Sequence, residues 1–328
     1  LKIETSARLH LSLIDLNGSE GRIDGGIGIT LKDPALEIEC IENDDSTKIL
    51  FDESISKDLI YDEYSQKILE ATNNMKEYLS IDTEYTFKIN NIYPIHHGLG
   101  LGTQLLLSVG QLISQLNDTS LDINQLARII QRGGTSGIGV ESFNRGGFIV
   151  DGGHKKDIKK EFLPSSYSTV SPPPVLARYD FPEKWNIILV IPNISGGAYG
   201  KKEKDIFQSY TPINIKDVEK ISYLTLMKLM PAVIEEDLQS FSDAINKIQE
   251  LGFKKIEKNL QYPIIHDIID YMKENGIETA GMSSFGPTCF GITDSNIKYH
   301  KRDLEDMFGE NSTIIVTNGK NHGSKIIK

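Results

Sequence analysis

The stretch "YPIHHGLGLGTQLLLSVGQLISQLN", Tyr93 to Asn117, sets a glycine-dense loop directly before an apolar segment. Leu105, Val109, Leu112, Ile113 and Leu116 recur at helical spacing, which predicts a helix from near Thr103 to near Asn117. Gly98, Gly100 and Gly102 alternate just before it. Glycine allows positive φ and close backbone approach. A helix start adds free N–H groups at the positive end of a dipole. Together they make an anion site that needs no lysine; the alternative is a tight turn with no ligand. Two familiar phosphate loops do not fit. A Walker A loop requires Gly-Lys-Ser/Thr, but Thr103 and Gln104 follow Gly102. A dinucleotide fingerprint requires a third glycine where Thr103 stands, and it usually opens its domain.

The rest of the chain is ordinary in bulk. Its 328 residues are 39% hydrophobic and 25% charged, values of a globular protein of one large or two smaller domains. The net charge of −11 comes without a broad basic face, so a nucleic-acid partner is not expected. Lysine clusters at 155–160 and 201–204 read as solvated surface, or as a rim attracting an anionic small molecule. Cys40 and Cys289 form no metal motif or disulfide framework, which fits a cytoplasmic setting. The N-terminal stretch is too polar for a signal peptide, and no apolar run is long enough to span a membrane.

Around the loop, period-two alternation makes "KIETSARLHLSLIDL" a strand, and "GGIGITL", "ALEIECIE" and "EYTFKINNI" continue as strands. A helix follows from Ile60, Tyr64, Ile68, Ala71 and Met75 on one face. "DINQLARIIQRGG" predicts another, with Asp122 and Gln125 as a capping box. Proline and serine dominate between Pro164 and Pro182, where a domain boundary is placed. The domains expected are 1–168 and 169–328. The second half reads as a buried strand "WNIILVIPN", helices near 218–230, 236–251 and 264–275, a strand-turn-strand at "IETAGMSSFGPTCFGIT", a helix near 298–307 and a strand "STIIVT". This order is α+β with split βαβ character.

Three further segments carry chemistry. "RGGTSGIGVESFNRGGFIVDGGH", Arg132 to His154, mixes glycines with Arg132, Glu141, Arg145, Asp151 and His154, a pattern of backbone wrapped around a ligand or of turns about a core strand. "GMSSFGPTC", Gly281 to Cys289, is another glycine turn with hydroxyls, able to close over an anion. On the first strand, Leu9, Leu11 and Leu13 supply an apolar face, so Arg8 and His10 point into solvent or a cleft, with Asp24 near enough in sequence context to orient either cation. "NISGG" places Ser195, Gly196 and Gly197 at a strand end, as a ligand loop or a plain turn.

Pro94-x-x-x-Gly98-Leu-Gly100 and "GMSSFGPTCFGI" resemble the second and third motifs of the GHMP kinase superfamily. "SARLHLSLIDLNGSEGRIDGGIGITL", "GLGLGTQ" and "RGGTSGIG" resemble one branch more closely, the β-ribofuranosylaminobenzene 5′-phosphate synthases of archaeal methanopterin biosynthesis. The resemblance covers nearly the whole chain. It implies a ribosomal-protein-like βαβ domain followed by a ferredoxin-like split βαβ domain. Two kinase features are missing. Gly139 stands where the kinase Pro-Ser-Gly-x-Asp string has its carboxylate, and Leu101 and Gly102 replace a Ser-Ser pair whose hydroxyl serves Mg²⁺.

What the resemblance implies is a decarboxylating C-riboside synthesis from phosphoribosyl diphosphate and 4-aminobenzoate or 4-hydroxybenzoate. The phosphate groups would be held by His97, Gly98, Leu99, Gly100, Leu101, Gly102, Thr103 and Gln104, with Ser136, Gly137, Arg145, Ser195, Gly196, Ser284 and Gly286, and Lys201 as a further cation. Arg8, His10, Asp24 and Glu141 are the expected catalytic groups, the two carboxylates facing the positive sugar ring, with His154 a second candidate for proton handling. Mg²⁺ is expected with the diphosphate, without identified ligands, and no nucleotide is expected. A homodimer is possible. The competing readings are an ATP-dependent GHMP kinase and a non-catalytic phosphate-binding protein.

Overall fold

The computed structural model describes residues 1–55, 60–194 and 196–327, of Ile60 the backbone only. The first half runs β1 (Lys2–Asp15), β2 (Arg22–Asn43), β3 (Lys48–Phe51), α1 (Ile60–Leu79), β4 (Glu84–Asn91), α2 (Leu101–Leu116), α3 (Ile123–Ile129), α4 (Ile138–Asn144), β5 (Phe148–Asp151), β6 (His154–Lys155) and β7 (Val175–Tyr179). The second runs β8 (Asn186–Pro192), α5 (Gly200–Tyr210), α6 (Ile215–Leu224), a π turn, α7 (Met230–Glu235), α8 (Leu238–Ile248), α9 (Gly252–Asn259), α10 (Pro263–Glu274), β9 (Thr279–Met282), β10 (Cys289–Thr293), α11 (Ile297–Phe308), β11 (Ser312–Asn318) and β12 (Lys325–Ile327).

The strands form two sheets. The first has the spine β12-β1-β2-β4-β3, with β5, β6 and β7 attached through β2 and β5. The second has the order β11-β8-β10-β9, all antiparallel. That order, fourth-first-third-second along the chain, with helices between the strands, is the ferredoxin-like split βαβ arrangement. The fold is therefore α+β, as the pattern of elements suggested. The sheets change over between Tyr179 and Asn186, since β7 still pairs with β5, and β12 returns to the first sheet beside β1.

The long helix after the glycine loop forms where its periodicity put it, and Leu105, Val109, Leu112 and Ile113 are buried. Tyr64, Ile68, Ala71 and Met75 pack into the same core from α1. The Asp122–Gln125 capping box forms at α3. The sequence reading did not separate α4, α5, α9, β7 or β12 from their surroundings. Each is short or flanked by glycine or proline, and helical or strand periodicity needs several turns or pairs to stand out.

Strand β1 is covered on both sides, so its polar face is enclosed as well: His10 and Ser12 are buried alongside Leu9 and Leu11. Register shifts against β2 flank Arg8–His10, between Ser6 and Arg8 and between His10 and Ser12. Such irregularities re-aim side chains beside sites. On β2, the run "GGIG" lets α4 sit directly on the sheet. A Cβ at Gly28 would fall on Ile138 and within 2.6 Å of the Leu9 carbonyl oxygen. Gly28→Ala is expected to lower stability by roughly 3 kcal/mol, measured by chemical denaturation. Gly21→Ala, where a Cβ meets nothing within 4 Å, should lose only about 1 kcal/mol, the backbone cost of its positive φ.

Candidate active site

A cavity of about 280 Å³ opens where the glycine loop, β1, the Gly281–Cys289 turn and α5 meet. The loop makes its floor. Gly98 and Gly100 have φ of 77° and 81°, and Gly100 caps α2 without a side-chain bond. The amides of Thr103 and Gln104 donate to the Gly100 carbonyl at 3.2 and 3.3 Å, which leaves those of Leu101 and Gly102 at the positive end of the helix.

Two guanidinium groups flank this loop. Arg8 donates from Nη1 to the Gly98 carbonyl at 2.6 Å, and its guanidinium lies where a Cβ on Gly100 would be 3.1 Å from Cζ. Arg132 donates from Nη2 to Thr103 Oγ1 at 3.2 Å and covers Gly102 in the same way at 3.3 Å. The Nε of each is buried without a hydrogen-bond partner. Among the described residues neither arginine has an ion-pair partner. Burial lowers both, Arg8 to about 10. Two unpaired cations over a helix entrance are a site for a polyanion.

A hydrogen-bonded chain descends from β1. Ser136 donates to Asp151 Oδ2 at 3.2 Å and contacts His10 Nε2 at 3.1 Å, so the histidine Nε2 carries the proton in that contact. Asp151 also accepts from the amides of Gly137 and Gly153, at 2.9 and 3.0 Å. Burial, with Arg8 and Lys254 adding to it, holds His10 well below the usual imidazole range. Burial raises Asp151 to about 6.

The opposite wall is apolar. Leu13, Ala198, Phe207 and Phe285 line it. Phe253 backs the two phenylalanines, with ring centroids 4.6 Å from Phe207 and 5.8 Å from Phe285. One helical turn before Phe207, Glu203 also faces the cavity. It makes no hydrogen bond or ion pair among the described residues. Burial raises its carboxyl to about 8, Glu257 adds to the shift, and Arg132 and Arg8 oppose it. Glu257 is paired with Lys254, whose Nζ also donates to the Ser284 carbonyl at 2.8 Å. At the mouth, Tyr199 stacks on His96 with centroids 3.7 Å apart, and Gly197 N–H donates to the His96 carbonyl at 2.9 Å. Glu63 holds His96 Nε2 at 3.1 Å and pairs with Lys67.

Of the residues singled out in the sequence, Arg8, His10, His97, Gly98, Leu99, Gly100, Leu101, Gly102, Thr103, Ser136, Ser284 and Gly286 come together around this cavity. Others stand behind it. Gln104 is buried between Thr5 and the Gly139 carbonyl, and Gly137 N–H serves Asp151. Asp24 and Glu141 were expected to face a sugar ring, and the structure places neither there. Asp24 is fully buried, with Oδ2 held by His154 Nδ1 at 2.7 Å and Lys159 Nζ at 2.9 Å. The same bond, with one to the Ser171 carbonyl at 3.0 Å, takes up both nitrogens of His154. Glu141 turns to Arg145, its i+4 neighbour on α4, and the pair satisfies itself away from the cavity. Gly196 packs against the His96 backbone outside the lining, Lys201 faces an outer depression, and Ser195 lies outside the described residues. Arg132, from the glycine-rich segment, lines the cavity too. Lining charges that spacing did not isolate include Glu203 and Glu257, because nothing local marks a helix face that turns inward.

Position 139 carries no kinase carboxylate, and a side chain there would crowd Thr103. A Cβ there would sit 3.1 Å from Thr103 Cγ2, and the Gly139 carbonyl accepts from Gln104 at 2.8 Å.

Comparison with known proteins agrees with this geometry. The GHMP kinases N terminal domain family matches residues 66–147 and the GHMP kinases C terminal family residues 229–299. Homoserine kinase from Cytophaga hutchinsonii shares the fold with a TM-score of 0.71 at 15% identity, covering 100% of this chain and 97% of that one. Mevalonate kinase from Methanococcus jannaschii does so with a TM-score of 0.65 at 17% identity, covering 98% of each. Full-length similarity is with the β-ribofuranosylphenol 5′-phosphate synthases. The protein from Methanothermobacter thermautotrophicus is 46% identical over 100% of this chain and 99% of its own length. Those from Methanocaldococcus jannaschii and Archaeoglobus fulgidus are 44% and 43% identical, each over 99% of both chains. With a kinase fold, no carboxylate at residue 139 and this identity from end to end, the chain belongs to the β-ribofuranosylphenol 5′-phosphate synthase family, pentosyltransferase-type enzymes of the GHMP superfamily.

Proposed function

We propose that the chain joins phosphoribosyl diphosphate to 4-hydroxybenzoate, releasing diphosphate and CO₂, and so supplies a phenol C-riboside for methanopterin biosynthesis. The observation that carries this reading is the pairing of two arginines, neither with an ion-pair partner among the described residues, over the glycine loop with an aromatic wall across the same cavity. The first suits the phosphate groups and the second an arene. The choice of a para hydroxyl over a para amine follows the name of the relatives, which specifies a phenol.

In this reading, Arg8, Arg132 and the α2 amides draw charge from the departing diphosphate. Donors fixed in advance around a developing charge do more for the rate than any other device open to such a site. His10 and Ser136, tied to each other and to Asp151, fix a polar edge on the other side of the loop. The apolar wall excludes water that would otherwise capture the sugar cation. An ATP-dependent kinase would require a base at residue 139, where this chain has glycine.

Magnesium, expected with the diphosphate, fits less well to the chain itself. Among the described residues no group of three or more potential metal ligands occurs. Of the lining carboxylates, Glu63 and Glu257 are ion-paired, and Glu203 is held toward its neutral form. The ion enters this reading only as a counterion carried on the diphosphate, and no step is derived through it.

With ring-carboxyl-labelled 4-hydroxybenzoate, label should appear as CO₂ only when phosphoribosyl diphosphate is present; sugar-independent release would overturn the reading. Arg132→Ala should raise KM for the sugar diphosphate roughly 10- to 100-fold, the loss of one charge-assisted contact, with a smaller change in KM for the benzoate. Steady-state kinetics with each substrate varied in turn checks this.

A further inference from the structure

The family's reaction requires a carbon of an aromatic ring to act as nucleophile, and the residues so far assigned all serve the sugar phosphate. The group left over is Glu203. It reaches the cavity from α5 on the same helical face as Phe207, one turn away, beside the wall of Leu13, Ala198 and Phe285. Every other carboxylate lining the cavity is neutralised by a cation: Glu63 by Lys67, Glu257 by Lys254. Glu203 alone among the described lining carboxylates has no hydrogen-bond or ion-pair partner. Glu203 is half-buried, so its carboxyl is open to the cavity and free to meet a ligand there.

We propose that Glu203 is a catalytic residue that takes the proton of the para hydroxyl as the arene attacks the sugar and returns it when CO₂ leaves. This rests on the function proposed above. In the first step the O–H proton passes to the Glu203 carboxylate, and the oxygen electrons feed through the ring. The ring carbon bearing the carboxylate then bonds to the anomeric carbon, while the anomeric C–O bond breaks and diphosphate departs with its electron pair. The ring is left as a cyclohexadienone whose tetrahedral carbon carries both the sugar and the carboxylate. In the second step the bond to the carboxylate breaks, CO₂ leaves, and the released pair restores the aromatic ring. The oxygen regains its proton from Glu203. Atoms and charge balance without an oxidant or reductant. The carboxyl, raised by burial to about 8, takes the proton in its ionised fraction, and turnover should rise as pH passes through that range; once protonated, it is close enough to a phenol to return the proton.

The test is Glu203→Gln, which keeps the shape and removes the base. Turnover of 4-hydroxybenzoate should fall by about 100-fold or more, while binding of phosphoribosyl diphosphate, followed by calorimetry, stays near wild type. The deficit relative to wild type should shrink at least tenfold with 3,5-difluoro-4-hydroxybenzoate, whose hydroxyl ionises without help. A loss below about tenfold with 4-hydroxybenzoate, or an equal loss with both acceptors, overturns the assignment. Wild-type enzyme that releases CO₂ from 4-aminobenzoate but not from 4-hydroxybenzoate also overturns it, leaving a synthase without a hydroxyl to deprotonate. Wild-type enzyme that releases none from either, sugar present, overturns the underlying function instead, and this proposal with it.

Discussion

One carbonyl oxygen holds the site together. The Gly98 carbonyl accepts from Arg8 Nη1 at 2.6 Å and from Ser283 Oγ at 2.7 Å. Ser283 Oγ in turn receives the His10 amide, and the Ser284 amide donates to the His10 carbonyl. Three segments far apart in the chain thus share one small network: the first strand, the glycine loop and the turn of the second sheet. Only glycine can stand at 98, because φ is 77° and a Cβ would press on the Ser283 backbone. Hydrogen bonds of this kind each add modestly to stability, but here they set where the arginine points, and the cavity depends on that.

Charge is distributed against the grain of the whole molecule. The chain carries −11 overall, yet among the described residues two guanidinium groups at the cavity have no ion-pair partner. Buried ions normally pair or neutralise. The asymmetry is consistent with a ligand that brings its own negative charge. The nearby acids do not cancel the cations, since two are tied to lysines and one is held toward its neutral form.

The features legible in the sequence were those with a strong local signature. The glycine alternation before α2, the period of β1 and the capping box at Asp122 each depend on neighbours within a few residues. Asp24 and Glu141 show the opposite case. Both carry the right chemistry in a suggestive context, but long-range and i+4 partners decide their roles: Lys159 and His154 claim the first, Arg145 the second. Glu203 and Glu257 escaped notice for the complementary reason. Their helices carry no local mark in the sequence, and only the packing of one half against the other turns them inward.

The placement of β12 has a bearing on synthesis. Residues 2–4 of β1 pair with 327–325 on one side and with 39–37 on the other. As the polypeptide emerges from the ribosome, β2 is available within moments, but the outer edge of β1 waits until residues 325–327 have been translated. An uncovered strand edge invites pairing with other molecules, and nascent chains of this size are vulnerable while such edges remain open. The edge that must be shielded longest belongs to the very strand that carries Arg8 and His10.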